Sequence, residues 1–340
     1  ILPPLYALWL LSGVAMLLWH TPLFDHHFVV LLPPLILLAA TFIGEVAWWW
    51  QRRIGAMPVR VGLAALIAVA ALNLPAMVRA NQAAVSIVTG GREQEALKLL
   101  DAVTAPTDFV MGDSQQLIFL AQRRTPPPLG DLALVGIKAG RQTPARLIAL
   151  TEAYQSPAVV QWALRLPWLP EYLDWVDVHY LAHKVWDNDH IIHFVQRVPA
   201  NRALPNAQVT RLGDSLALRG FQIEPGRHDG SLTLKLYWQT DAAIDKNYTV
   251  FTQLLDSTGQ LVAGQDSQPL EGYFPTSQWP AAEIITDVVR LPLPPDLPPG
   301  AYTLITGMYS LDTLERLPVA GSAADFITLT TAELENYRLE

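Results

Sequence analysis

Three apolar stretches, Ile1–Trp19, Phe28–Ala47 and Val61–Val78, dominate the start of this chain and limit what it can fold into. Each approaches the ~20 residues that a helix needs to cross a hydrocarbon core of about 30 Å. Runs this long and this free of charge are foreign to water-soluble cores, the competing reading being buried helices of a large soluble protein. About three transmembrane helices are therefore expected within residues 1–80, near 1–19, 28–47 and 61–78.

Orientation follows from the basic residues. Arg52, Arg53 and Arg60 lie between the second and third stretches, whereas His20–His27, between the first and second, holds no Lys or Arg. By the positive-inside rule the Arg loop is cytoplasmic, and both His20–His27 and everything after Arg79 are extracytoplasmic. Trp48, Trp49 and Trp50 suit an interfacial aromatic belt, and Glu45, near a span end, reaches the interface. Pro33, Pro34 and Pro75 require neighbouring helices to satisfy the carbonyls they free, which implies a larger bundle. The chain opens on Ile1 inside an apolar run, with no basic n-region or cleavage site of a signal peptide. It is read as the C-terminal piece of a longer protein.

Past Arg79 the composition changes to that of a soluble protein. The net charge of −8 supplies no basic stripe to neutralise phosphates, so nucleic acid is not an expected partner. The absence of cysteine excludes disulfides, thiolate metal sites and a Cys nucleophile.

Residues 85–198 alternate helical and strand patterns. Arg92–Val103 reads as an amphipathic helix and Thr107–Met111 as a buried strand closed by Gly112-Asp113-Ser114, where Asp113 or Ser114 caps a helix Gln115–Arg123. Thr143 and Pro144 start a helix to Tyr154, Ala158–Leu164 is a strand, Pro170–His179 a helix and His190–Val195 a closing strand. This order predicts an external α/β domain with a mainly parallel sheet. After a linker at Pro199–Asn206, residues 207–331 carry about seven short alternating strands, among them Ser231–Thr240, Tyr248–Asp256, Ile284–Leu291 and Ala301–Ser310. Turn signals separate them, and the pattern predicts a C-terminal immunoglobulin-like β-sandwich. The Pro-rich Leu291–Pro299 suits an edge or a strand-to-strand crossing.

Candidate chemistry is sparse. His20-Thr-Pro-Leu-Phe-Asp-His-His27 gathers His20, Asp25, His26 and His27 at the outer mouth of the first two spans, where they suit a metal, a phosphate, a sugar hydroxyl or proton transfer, against the plain reading of a polar interfacial loop. His179, His183, Asp187, Asp189, His190 and His193 form a second cluster, but without an HExxH frame it reads better as a solvated corner than as a metal site, and no metal is assigned. Gly112-Asp113-Ser114 lacks the G-x-S-x-G frame of a nucleophile elbow, and Gly90-Gly91 lacks the spacing of a phosphate loop. Tyr237, Trp238, Tyr273, Phe274 and Trp279 suit a sugar-stacking platform, centred on Tyr273, Phe274 and Trp279, against the reading that Tyr237 or Trp238 is core and the rest a structural turn. Asn247-Tyr248-Thr249 has the glycosylation frame, relevant only in a secretory pathway.

The order of parts and several short motifs resemble bacterial GT-C-type membrane glycosyltransferases, relatives of polyprenyl-phosphate-mannose-dependent protein mannosyltransferases and lipid A aminoarabinose transferase. Pro22-Leu-Phe-Asp-His-His27 followed by Leu31-Leu-Pro-Pro-Leu35 resembles their last transmembrane region. Val110-Met-Gly-Asp-Ser114, Phe119-Leu-Ala121, Arg124-Thr-Pro-Pro-Pro-Leu129 and Val159-Val-Gln-Trp162 look like their external domain. Tyr273-Phe-Pro-Thr-Ser-Gln-Trp279 and Leu297-Pro-Pro-Gly-Ala-Tyr302 are similar to a β-sandwich module often appended to it.

The resemblance implies a bacterial plasma-membrane protein that moves sugar from a polyprenyl-phosphate donor to a glycan, protein or lipid acceptor on the outer face. A carboxylate acts as general base, and a divalent cation or basic groups stabilise the leaving phosphate. In that family the acidic residues lie in a first external loop near the N-terminus, which has no counterpart here. No catalytic residue is carried over, this chain alone is expected to be inactive, and His20, Asp25, His26 and His27 are placed on the donor-phosphate side. The alternatives are a membrane-anchored glycan- or cell-wall-binding protein without catalysis, and a sandwich that serves only as a spacer.

Overall fold

The computed structural model describes residues 2–19, 25–88, 90–130, 132–199, 201–224, 230–335 and 338–339. The chain divides into two compact units, Ile1–Val88 and Thr89–Glu340.

The first unit is helical: α1 (Leu2–Trp19), a 3-10 segment (Asp25–Leu31), α2 (Leu32–Ile54) and α3 (Ala56–Val88). In α1, Gly13 and Leu17 are buried and, four residues apart, share one helix face. A Cβ on Gly13 would stand 2.9 Å from Leu31 Cδ2, so glycine permits this close approach. Pro33 and Pro34 fall in the first turn of α2, where backbone N–H groups have no partner within the helix in any case. The expected need for neighbouring helices therefore does not arise at these two prolines, and it concerns Pro75 inside α3 alone.

By length and composition, 27–54 and 56–79 are able to cross a membrane, while α1 has 18 residues. At 1.5 Å per residue the 23 residues of α2 extend about 35 Å. The large apolar side chains of these helices are mostly uncovered, as with Phe42 at 68% and Leu72 at 78% exposure. At the end of α2 the guanidinium of Arg52 lies 3.9 Å from the ring of Trp48, and that of Arg53 4.4 Å from Trp49.

The second unit begins with α4 (Gly91–Val103), whose buried Ala96, Leu99, Leu100 and Val103 recur at helical spacing. β1 (Met111–Gly112), α5 (Gln115–Leu120), α6 (Leu134–Lys138), α7 (Pro144–Ala153), β2 (Ala158–Gln161), α8 (Pro170–His179), β3 (Tyr180–Asp187) and β4 (His190–Gln196) follow. Ser114 and Thr143 cap α5 and α7 as the sequence indicates. Gly112 lies so close to β2 that a Cβ would meet the carbonyl of Val160 at 2.6 Å.

The sheet order is β1-β2-β4-β3. Only β1 and β2 run parallel; β2 with β4, and β4 with β3, are antiparallel. This corrects the expected mainly parallel sheet, and the cause is a strand the sequence pattern hid. Tyr180–Asp187 continues directly from α8 and returns through Asn188 and Asp189 as a hairpin. The apolar-polar alternation of that edge strand is blurred by His183, Lys184 and Val185, all exposed. The expected strand at Thr107–Met111 is reduced to β1, with Phe109 making an isolated bridge to Arg124.

Residues beyond 207 form two antiparallel sheets. One orders β10 (Ile284–Pro292), β7 (Ser231–Thr240), β6 (Leu216–Glu224) and β5 (Thr210–Leu212). The other orders β13 (Arg338–Leu339), β12 (Ile327–Glu335), β11 (Gly300–Ser310), β8 (Tyr248–Leu255) and β9 (Leu261–Ser267). The sheets share a core of Leu234, Leu236, Trp238, Val250, Leu304 and Met308. The Pro-rich connection after β10 carries the chain from one sheet to the other, as its composition suggests.

Alternate residues of β7 (Leu232, Leu234, Leu236, Trp238) fill that core, but Thr233 and Tyr237 on its opposite face are buried as well. The α/β portion covers that face, and the buried apolar cluster runs without a break from α4 and β4 into the sandwich. Polar contacts reinforce the seam. Lys235 Nζ contacts Asp108 Oδ1 at 2.5 Å and Glu224 Oε1 at 2.9 Å, and Thr107 donates to Glu224. Arg290 binds Asp101, whose other oxygen accepts from buried Arg123 at 3.0 Å. The two guanidinium groups hold the Asp101 carboxyl below its usual range against the opposing effect of burial.

Candidate functional site

At the carboxyl end of the parallel pair β1–β2, where open α/β sheets place ligands, Asp113 is fully buried. Its Oδ1 accepts from the backbone N–H groups of Trp162 (2.7 Å) and Ala163 (2.9 Å), and its Oδ2 from Arg165 (2.9 Å) and Leu166 (3.1 Å). Asp113 thus fixes the loop after β2 rather than capping α5, and it closes the crevice instead of serving it.

Trp162 leaves that loop for the surface and meets the tip of the β3–β4 hairpin. Its ring lies edge-on to Trp186, 5.2 Å between centroids, and to His190 at 4.7 Å. Pairing shifts between Val185↔Ile191 and Asp187↔His190, so Trp186 is the extra residue of a β-bulge. Bulges re-aim side chains, and here the indole Nε1 donates to Glu95 of α4 at 2.8 Å. One turn away, Arg92 contacts Asp187 at 2.7 Å and lies 5.6 Å from the Trp162 ring. His190 Nδ1 is 2.6 Å from Asp187 Oδ1 and 3.2 Å from Arg92 Nη1, so its tautomer decides whether it donates to the one or accepts from the other. The His190 hydrogen bond and the Asp189 backbone N–H, followed by the charges of His190 and Arg92, hold the Asp187 carboxyl down to about 2. Half-exposed Tyr273 lies within range of the Glu95 charge: partial burial and the charges of Glu271 and Glu95 push its hydroxyl up.

A second feature is a cavity of about 220 Å³ at the seam, lined by the Asp108, Glu224 and Lys235 trio together with Tyr154, Arg202 and Tyr237. Lys235 stands between the two carboxylates and bonds to both, which makes the trio a clamp between the two portions that keeps one net negative charge.

The sequence candidates fall differently. His20 lies outside the described residues. Asp25, His26 and His27 stand in the 3-10 segment before α2, His27 half-buried. The sugar-stacking platform of Tyr273, Phe274 and Trp279 is corrected: Phe274 and Trp279 are buried at 4% and 2%, and Trp279 Nε1 donates to the Phe274 carbonyl at 2.8 Å. Their faces serve the core, and Tyr273 alone of the three is half-exposed.

The histidine run separates into three places. His179 stacks on Trp175 at 4.1 Å, His183 and His193 face each other across β3 and β4, and Asp187 with His190 joins the aromatic group. Among the described residues no three His, Asp or Glu side chains converge to hold a metal ion. Glu95, Arg92 and Trp186 escaped sequence reasoning because their meeting depends on a bulge and on a helix distant in the chain.

No protein-family model and no curated protein matches this chain. Among solved structures, the C-terminal domain of Wzt is 11% identical over 38% of this chain and 84% of its own length, with a TM-score of 0.28. A β-glucuronidase from glycoside hydrolase family 2 is 13% identical over 44% of this chain and 14% of its own, with a TM-score of 0.21. A putative β-galactosidase from Bacteroides fragilis is 12% identical over 43% and 18%, at 0.20. Likenesses at these scores carry no argument about what the chain does.

Proposed function

We propose that this chain is the C-terminal region of a GT-C-type membrane glycosyltransferase, which transfers sugar from a polyprenyl-phosphate donor on the outer face of a bacterial plasma membrane. Apart from the motif resemblance, one observation supports the reading. Asp25, His26 and His27 stand in the turn that leads into α2, a helix long and apolar enough to span a bilayer with its large side chains uncovered. Ionisable groups at the mouth of a span mark a substrate path. In this reading Arg52, Arg53 and Arg60 lie at the cytoplasmic surface, Thr89–Glu340 is external, and His20, Asp25, His26 and His27 contact the donor phosphate. The attacking hydroxyl is deprotonated by a carboxylate outside this chain, and the histidines stabilise charge on the departing phosphate.

The test uses the natural full-length protein in nanodiscs with a radiolabelled polyprenyl-phosphate hexose. Replacing His26 and His27 together by alanine is expected to lower transfer and weaken donor binding by about tenfold or more, the equivalent of roughly 1.4 kcal/mol. Unchanged transfer and donor affinity would sink the assignment of these residues. Absence of any transfer by the intact protein, with the chain still anchored in membranes, would favour a membrane-anchored glycan binder.

A further inference from the structure

We infer that the surface formed by Trp162, Trp186, Tyr273, Glu95, Arg92 and His190 is a binding site for a neutral glycan, a site independent of whether sugar transfer is catalysed.

Two half-buried indoles meet at 75°, forming an apolar corner at the protein surface. Aromatic faces of this kind cover the C–H face of a pyranose ring while their polar edge stays hydrogen-bonded. Exposed Glu95 stands at the rim of the corner, and one of its oxygens is engaged by Trp186. A carboxylate in that place is a strong acceptor for sugar hydroxyls, and charge-assisted hydrogen bonds of this type are about twice as strong as neutral ones. Arg92, held by Asp187 and His190 beside the Trp162 ring, brings further N–H donors to the same surface. Trp, Tyr and Arg are the residue types that carry most of the energy at binding surfaces.

A β-bulge sets the direction of Trp186. A regular hairpin would pair position 186 and leave its side chain on the strand's ordinary face. The extra residue instead turns Trp186 toward Glu95 on a separate helix. Asp187 locks the tip, accepting from the backbone of Asp189 at 2.9 Å and of His190 at 3.0 Å. The aromatic corner is therefore held in place before any ligand arrives, which limits the ordering cost of binding.

Charge selects the ligand class. Glu93, Glu95, Asp187, Asp189 and Glu271 outnumber Arg92, Lys98 and Lys184 on the segments that form this surface, so uronate-rich or phosphorylated glycans are repelled and neutral ones accepted.

The test titrates the full chain in detergent with mannotriose, chitotriose and trigalacturonate, using saturation-transfer NMR and calorimetry. A neutral trisaccharide is expected to bind with a Kd of about 1 mM or tighter. Both Glu95→Ala and Trp186→Phe are expected to weaken it about tenfold, with the melting temperature of Glu95→Ala unchanged. Glu95 is an exposed helical position, so its alanine variant keeps the fold and keeps the test decisive if the tryptophan variant misfolds. The inference is overturned if neither neutral sugar binds, if trigalacturonate binds more tightly than both, or if Glu95→Ala leaves affinity intact. None of these results bears on donor transfer at the membrane, so the two readings fail separately.

Discussion

Asp287 of β10 accepts a hydrogen bond at 2.8 Å from the backbone N–H of Leu270, a residue held at φ +52°. Glu271 follows at φ +54°, so two consecutive non-glycine residues occupy the left-handed region, at a cost of roughly 1–3 kcal/mol each. The buried carboxyl and the left-handed pair belong together: the strained turn aims the Leu270 N–H into the core, and the aspartate gives that N–H a partner. Asp287 Oδ2 and the neighbouring Trp238 Nε1 each have no hydrogen-bond partner among the described residues.

Burial pushes the Asp287 carboxyl up to about 7, against the lowering effects of the Leu270 N–H and the nearby Trp238 indole. A folded-state value above the ordinary 3.8 means that the unfolded chain gives up the proton first. The penalty therefore grows as pH rises from about 4 to 7. Asp287→Asn keeps an acceptor for Leu270 and removes the charge. Its melting temperature should exceed that of the parent by several degrees at pH 8 and by much less near pH 4. An equal difference at both pH values would contradict this account.

His193 behaves in the opposite sense. Burial, opposed by Asp177 and aided by His183, brings its imidazole down to about 4. The unfolded chain, with an ordinary value of 6.5, takes up the proton first, so this contribution to stability is complete above pH 6.5 and is lost as pH falls toward 4. Each unit of separation is worth about 1.4 kcal/mol. Urea titrations from pH 7.5 to 4.5 should show a steeper decline for the parent chain than for His193→Gln.

Asp113→Asn replaces one carboxylate oxygen by an amide nitrogen that faces two backbone N–H groups. Two charge-assisted hydrogen bonds are lost and two donors are left without acceptors, for a cost of about 3 kcal/mol or more. Chemical denaturation checks the value. Because Trp162 is the first residue this carboxylate holds, the variant should also weaken mannotriose or chitotriose binding.

Lys235→Ala leaves Asp108 and Glu224 as uncompensated charges at the seam, expected to cost about 3–5 kcal/mol. The triple variant Lys235→Met, Asp108→Asn, Glu224→Gln removes all three charges and should recover most of that loss in the same denaturation assay. If the triple variant is no better than Lys235→Ala, the trio's value lies in its shape and not in its charge.

Much of this architecture is legible in the sequence because local signals decide it. Thr143-Pro144 starts α7, the alternation of Ser231–Thr240 gives β7, and uncharged length marks the apolar helices. What escaped was set by contacts between distant segments. The polar edge strand Tyr180–Asp187 owes its existence to pairing with β4, which turned an expected parallel sheet into a mostly antiparallel one. Asp113 beside Ser114 looks like a cap, and only the return of the chain at Trp162–Leu166 gives it four donors. Phe274 and Trp279 have a surface-motif look, yet the turn that carries them folds inward. The candidate glycan surface joins α4, the β2 loop, a bulge and the turn around Tyr273, and no spacing rule connects those four.

The seam also sets an order of events at the ribosome. The chain emerges from its N-terminal end, so α4 and the β3–β4 hairpin are available to fold while β6, β7 and β10 are still unmade. Until β7 and β10 have been added, Val103 and Val195 lack the strands they face, and Asp108 has no lysine. During that interval the nascent α/β portion presents an apolar face beside unpaired charge, the kind of surface that chaperones hold and that aggregates when they do not.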